Sequence, residues 1–208
     1  MDLKELLNDH QMYHSQFQQD YFITARAGGT KYGMYKQALR ELYKRYRGLK
    51  GLYADKALLQ VDIDELDASE NENVFEERRN EINKAKKIMY MEEIDKNIFD
   101  TEREFERFYK QAATLKNSLG NIDENKRNKY DIDMWKYKLK EMAALDYISN
   151  GRLSKATIEL VFTLPFAMRT QTLAIIKNSK NLLDWYERRT TTVRIDDSSI
   201  DVKKLLKE

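Results

Sequence analysis

Cysteine is absent from this 208-residue chain, which excludes disulfide frames, thiolate metal sites and thiol nucleophiles and fits a reducing compartment. Proline occurs once and glycine seven times, too few for a many-stranded protein with frequent turns. Only His10 and His14 supply imidazole. No run approaches the roughly 18 apolar residues of a membrane span, and the opening MDLKELLNDH has neither the basic n-region nor the apolar h-region of a secretory signal. The expectation is an intracellular protein of the cytoplasm with no membrane association.

What is present favours long helices. Charged residues make up 35% and apolar residues 41%, and a net charge of +2 conceals strong segregation. Residues 26–50 carry eight Lys/Arg against the single Glu41, whereas residues 55–77 carry nine Asp/Glu against Lys56.

The apolar spacing predicts an all-α protein. Residues 2–26 form a first helix with Leu3, Leu7, Phe17 and Tyr21 on one face, stopped at Ala27-Gly28-Gly29. Thr30 caps a second helix on which Tyr35, Leu39, Leu42, Tyr46, Leu49 and Tyr53 alternate steps of four and three, the spacing of a coiled-coil seam. Leu52, Leu59, Ile63 and Leu66 continue it after a slip near Gly48 and Gly51, where a bend or overwinding is expected. ASENEN turns the chain into a third long helix, with Phe75, Ile82, Met89, Met91, Ile94 and Ile98 and then Phe105, Phe108, Ala112, Leu115 and Leu119 as its seam. Gly120-Asn121 ends that helix and NIDENKRN is a loop.

The composition changes after about residue 130. MWKYKLKEMAALDYI reads as a helix stopped by Asn150-Gly151; Ser154 caps KATIELVFTL, Pro165 opens FAMRTQTLAIIKN, and Ser179 caps NLLDWYERR. TTTVRI alternates as a lone strand, and SSIDVKKLLKE is a short amphipathic tail. The expected architecture is therefore an N-terminal helix (1–29), an elongated antiparallel helical hairpin or coiled coil with a basic stripe (30–120), a small helical domain (130–189), and a short terminal strand and tail (190–208). There is no internal repeat or low-complexity tract.

Gly28 and Gly33 have phosphate-loop spacing, but Met34 and Tyr35 stand where that chemistry needs Lys and Ser/Thr, and GGTKYG misses the dinucleotide fingerprint. A helix break and restart explains the glycines. The helix after them carries Lys36, Arg40, Lys44, Arg47 and Lys50 within an arc of roughly 120°, at about 100° per residue. Such a face can neutralise successive phosphates, with Tyr32 and Tyr43 adding stacking or hydroxyl contacts. It also fits a solvated face, or one paired with the acidic block of residues 55–77 in the same chain or a neighbouring subunit.

GRLSKATIELV, residues 151–161, resembles the turn and second helix of helix-turn-helix DNA readers, in which glycine permits the turn and a capped helix offers its first residues to base edges. Arg152 is an insertion in that pattern, Tyr147 replaces the usual alanine, and the exposed helix positions offer Lys155 alone as a cation beside Glu159. Plain core packing is the other reading. His10 and His14 have the i, i+4 spacing of zinc ligands, but Gln11 replaces the glutamate that activates water. Asp62, Asp64 and Asp67 lack the glycine and spacing of a calcium loop, and Asp131 and Asp133 are too isolated for an acid/base pair. Trp135, Trp185 and the phenylalanines read as core. No catalytic residue, cofactor site or metal site is expected, and the chain is read as a non-enzyme.

This order of parts, with GRLSKATIELV and TTTVRI, resembles the small terminase subunits of tailed bacteriophages. The resemblance implies ring-forming helical hairpins, a helical module that recognises genome ends, and a C-terminal segment that engages the motor, all in the host cytoplasm. It implies a homo-oligomer that binds duplex DNA, with a protein partner held through residues 190–208. The alternative is a scaffold or adaptor that binds no nucleic acid, its basic and acidic blocks pairing between subunits.

Overall fold

The computed structural model describes residues 2–19, 30–69, 73–189, 194–195 and 198–207, with only the backbone of residues 15–19. Among the described residues all regular structure is helical, as the composition requires: α1 (Leu3–Gln19), α2 (Lys31–Ala68), α3 (Val74–Leu119), α4 (Glu124–Asn150), α5 (Lys155–Phe162), α6 (Phe166–Lys177), α7 (Ser179–Arg188) and α8 (Val202–Leu205). The glycine stop at 28–29, Tyr21 and most of TTTVRI lie outside the described residues; Arg194 and Ile195, at its end, carry no regular structure. No helix is long and apolar enough to cross a membrane, among the described residues.

The chain divides into two compact units, one of residues 1–12, 38–113 and 196–208, the other of residues 13–37 and 114–195. The boundaries differ from the sequence-derived segments because α2 and α3 each contribute to both units.

In the first unit Asp2 caps α1 through the Lys4 N–H (3.0 Å), and Leu3, Leu6 and His10 are buried. Leu7, expected on this face, is half-buried. On α2, Leu39, Leu42 and Leu49 are buried as their spacing predicts, while Tyr46 and Tyr53 are half-buried. The slip at Gly48 and Gly51 neither breaks nor ends the helix. On α3, Ile98, Phe105, Tyr109 and Ala112 are buried.

The early seam of α3 requires correction: Phe75, Ile82 and Met89 are 88%, 53% and 70% exposed. Charge occupies the side of α3 turned to α2, where Lys84 pairs with Asp67, Lys87 with Asp62, Asp95 with Lys56 and Glu104 with Arg45. At about 100° per residue the three apolar residues fall on the far side. Residue numbers fall along α3 as they rise along α2 through these pairs, and Tyr53 adds a hydroxyl bond to Glu102. Asp62 and Asp67 of the acidic block therefore meet lysines of α3, not the basic stripe. The tail joins this unit through the Ile200 N–H, which donates to Glu106 (3.1 Å), and through buried Val202.

In the second unit Leu139, Ala143 and Ala144 of α4 pack with Val161, Leu164, Ile176 and Leu182, bordered by Trp135 and Trp185. Local signals set its helix ends. The Thr30 hydroxyl accepts from the Gly33 N–H (3.0 Å). Gly120 and Gly151 take positive φ of 67° and 66°, the left-handed stop that glycine adopts at least cost. Asp123 caps α4 through the Lys126 N–H (2.7 Å), so the expected loop NIDENKRN shrinks and α4 starts ten residues before MWKYK. Asn178, not Ser179, caps α7, its side-chain Oδ1 accepting from the Asn181 N–H (3.1 Å), and Pro165 sits at the N-cap of α6.

Gly48 and Gly51 are exposed, and a Cβ at either would meet no heavy atom within 4 Å. Glycine in a helix interior costs about 1 kcal/mol relative to alanine. The Gly48→Ala/Gly51→Ala protein is therefore expected to melt roughly 4–8 °C higher by circular dichroism; an unchanged or lowered midpoint would show that the glycines relieve strain in α2.

Candidate nucleic-acid interface

The basic stripe divides when its side chains are placed. Arg40, Lys44, Arg47 and Lys50 are exposed on α2 within the first unit, spanning about 15 Å of helix at 1.5 Å per residue. Among the described residues Lys44 and Arg47 form no ion pair. The Lys50 ammonium lies 4.7 Å from the Tyr46 ring centroid, a contact that orients its stem without neutralising it. Tyr43, next to the stripe, is stacked on His10 at 4.0 Å and 14°, so that face of its ring is already covered. Arg45, between the outward cations, is turned inward to Glu41 (3.2 Å) and Glu104.

Lys36 corrects the expectation of a five-residue exposed stripe. It belongs to the second unit, is 1% exposed, and places its ammonium 3.2 Å from the Asp131 carboxylate of α4. The rings of Tyr13 and Tyr32 flank it at 5.2 and 5.4 Å. Tyr32 stands edge-on to Tyr13 at 6.0 Å and lies 5.2 Å from Tyr130. Burial pushes the Tyr32 hydroxyl above its ordinary range, with Tyr13 and the Asp131 charge adding to the rise. A cation enclosed in this way contributes to packing and is not offered to a phosphate.

The resemblance to a DNA reader leads to a well-built turn with little positive charge. Asp146 of α4 accepts from the Ser154 N–H (2.8 Å) and the Thr157 hydroxyl (2.6 Å), while Ser154 accepts from the Thr157 N–H (3.2 Å). Burial opposes ionisation of Asp146, but the bonds from Thr157 and Ser154 outweigh it and hold its carboxyl below the usual range. Thr157 and Val161 face the core. Lys155 is exposed, but Glu159 stands 3.6 Å away, leaving this face of α5 without net charge. A second carboxylate, Glu141, is buried but bound by Arg189 and Lys138, which hold it below its usual range despite the desolvation.

His10 is buried in its ring stack and His14 is exposed; among the described residues no group of three or more His, Cys, Asp or Glu is placed to hold a metal. Sequence reasoning passed over Arg103 and Arg107, whose only signal was their i, i+4 spacing. With Asp100, Thr101 and Glu104 they line a groove of about 720 Å³ on the first unit, where two carboxylates offset the two guanidiniums. No protein-family model, curated protein or solved structure matches the chain.

The enclosure of Lys36 has a measurable consequence. Asp131→Asn leaves an ammonium buried beside an uncharged amide. With 26% of the Asp131 side chain exposed, the expected loss is about 3 kcal/mol, the lower end for a broken buried pair. The double variant Lys36→Met/Asp131→Asn should recover most of this in urea titrations. A loss below about 0.5 kcal/mol for Asp131→Asn, the range of ordinary surface substitutions, would contradict the placement.

Proposed function

We propose that this chain is a non-enzymatic, self-associating protein that binds duplex nucleic acid through Arg40, Lys44, Arg47 and Lys50 of α2. The observation that carries this reading is four exposed cations on about 15 Å of one helix, a length over which duplex DNA presents several phosphates. α2 and α3 act as an antiparallel coiled-coil hairpin, the reading supported by the opposed order of their ion pairs. The hairpin presents the cations on its outer side, while Asp62 and Asp67 of α2 are engaged by lysines of α3. Binding of this kind is electrostatic and sequence-tolerant, since the contacts go to phosphates and not to base edges. It suits genome handling of the sort small terminase subunits perform, in the host cytoplasm, with residues 190–208 reaching a protein partner. A scaffold role without nucleic acid is the competing reading, favoured by the exposed apolar residues of α3.

Replacing Arg40, Lys44, Arg47 and Lys50 together by glutamine separates the two. In fluorescence anisotropy with a labelled duplex at low salt, the quadruple variant is expected to bind at least about tenfold more weakly than the parent. Equal affinity of variant and parent, or no binding by either while oligomers persist, would favour the scaffold.

A further inference from the structure

The far side of α3 carries a stripe that no described part of its own unit covers. Phe75, Ile82 and Met89 recur at seven-residue intervals, drifting only about 20° per step, and all are exposed. Charges flank them in a regular order: Arg78 and Glu92 lie along one side of the stripe, Arg79 and Glu93 along the other. Within each set the cation and the carboxylate are fourteen residues apart, about 21 Å along the axis. All four are exposed, and among the described residues none forms an ion pair, whereas Lys84, Lys87 and Asp95 on the side facing α2 are all paired.

We propose that the occupant of this stripe is a second copy of α3, lying antiparallel about a two-fold axis near residues 85–86. Such an axis carries each flank of one helix onto the same flank of the other. Arg78 then opposes the partner's Glu92, Arg79 opposes the partner's Glu93, and Ile82 packs on the partner's Met89. These pairings share one register to within a residue, about 1.5 Å, and the symmetry repeats each of them. A parallel pair would bring opposite flanks together, setting Arg78 beside the partner's Arg79 and Glu92 beside the partner's Glu93, which repel. Lys86 lies near the axis, and its flexible stem carries the ammonium out to water. A second copy is the fitting occupant because the surface supplies both halves of its own complement, as a two-fold interface requires. This inference deepens the self-association part of the proposed function and does not depend on polyanion binding.

Sedimentation equilibrium of the full chain, free of nucleic acid, provides the test. The parent should self-associate. Arg78→Glu/Arg79→Glu and Glu92→Arg/Glu93→Arg should each weaken association at least about tenfold. An equimolar mixture of the two should form a one-to-one heterocomplex, and the fourfold reversal should associate like the parent, which excludes misfolding as the cause of the losses. Either paired variant associating like the parent, or a mixture that stays dissociated, overturns the interface. A monomeric parent removes self-association as a whole, yet DNA binding by α2 would stand in all these cases.

Discussion

The buried pair of Lys36 and Asp131 is the constraint on which the second unit turns. It joins the first turns of α2 to α4, with the ring of Tyr13 from α1 against the same ammonium, so three segments distant in sequence meet at one charge. Desolvating a cation costs several kcal/mol unless a counter-ion and polarisable neighbours replace its water, and here a carboxylate and two tyrosine faces do so. The arrangement fixes which side of α2 is inward at its start. At about 100° per residue Arg40 and Arg47 lie within about 40° of Lys36 around the axis, so their exposure does not follow from rotation: the cover that Tyr13 and Asp131 give Lys36 does not extend to them.

A second sorting of charge happens along α2 and α3 in the first unit. Lysines and carboxylates on the facing sides neutralise one another in pairs, so the long helices are registered by ions as well as by Leu49, Ile63, Ile98 and Phe105. What remains outward differs between the two helices. α2 gathers Arg40, Lys44, Arg47 and Lys50 on one stretch, with exposed Asp55, Asp64 and Glu65 further along the helix, and that stretch suits a polyanion, whereas α3 keeps both signs in alternating blocks around an apolar stripe, an arrangement suited to another protein surface.

Much of this was legible in the sequence, for identifiable reasons. Leu39, Leu42 and Leu49 announced a buried face by spacing alone, and Thr30, Gly120, Gly151 and Ser154 marked helix ends because their backbone and side-chain chemistry acts locally. Three features were not legible. Lys36 lies beside the Tyr/Leu seam and reads as exposed if one helix packs on α2; contacts from α1 and α4 widen the buried arc beyond a two-position seam. Phe75, Ile82 and Met89 show which residues share a face, but periodicity does not say whether that face is covered. Asp123 lies in a polar stretch that scores as loop, and only its bond to the Lys126 N–H identifies it as the cap of a long helix.

The salt dependence of duplex DNA binding by the intact protein tests the electrostatic account most directly. Four phosphate-neutralising cations per engaged protomer give a log-log slope of about −3 to −4, each contributing about 0.9. A slope shallower than about −1 would mean that the outward cations of α2 do not meet phosphate, and the account of them as a polyanion surface would fail.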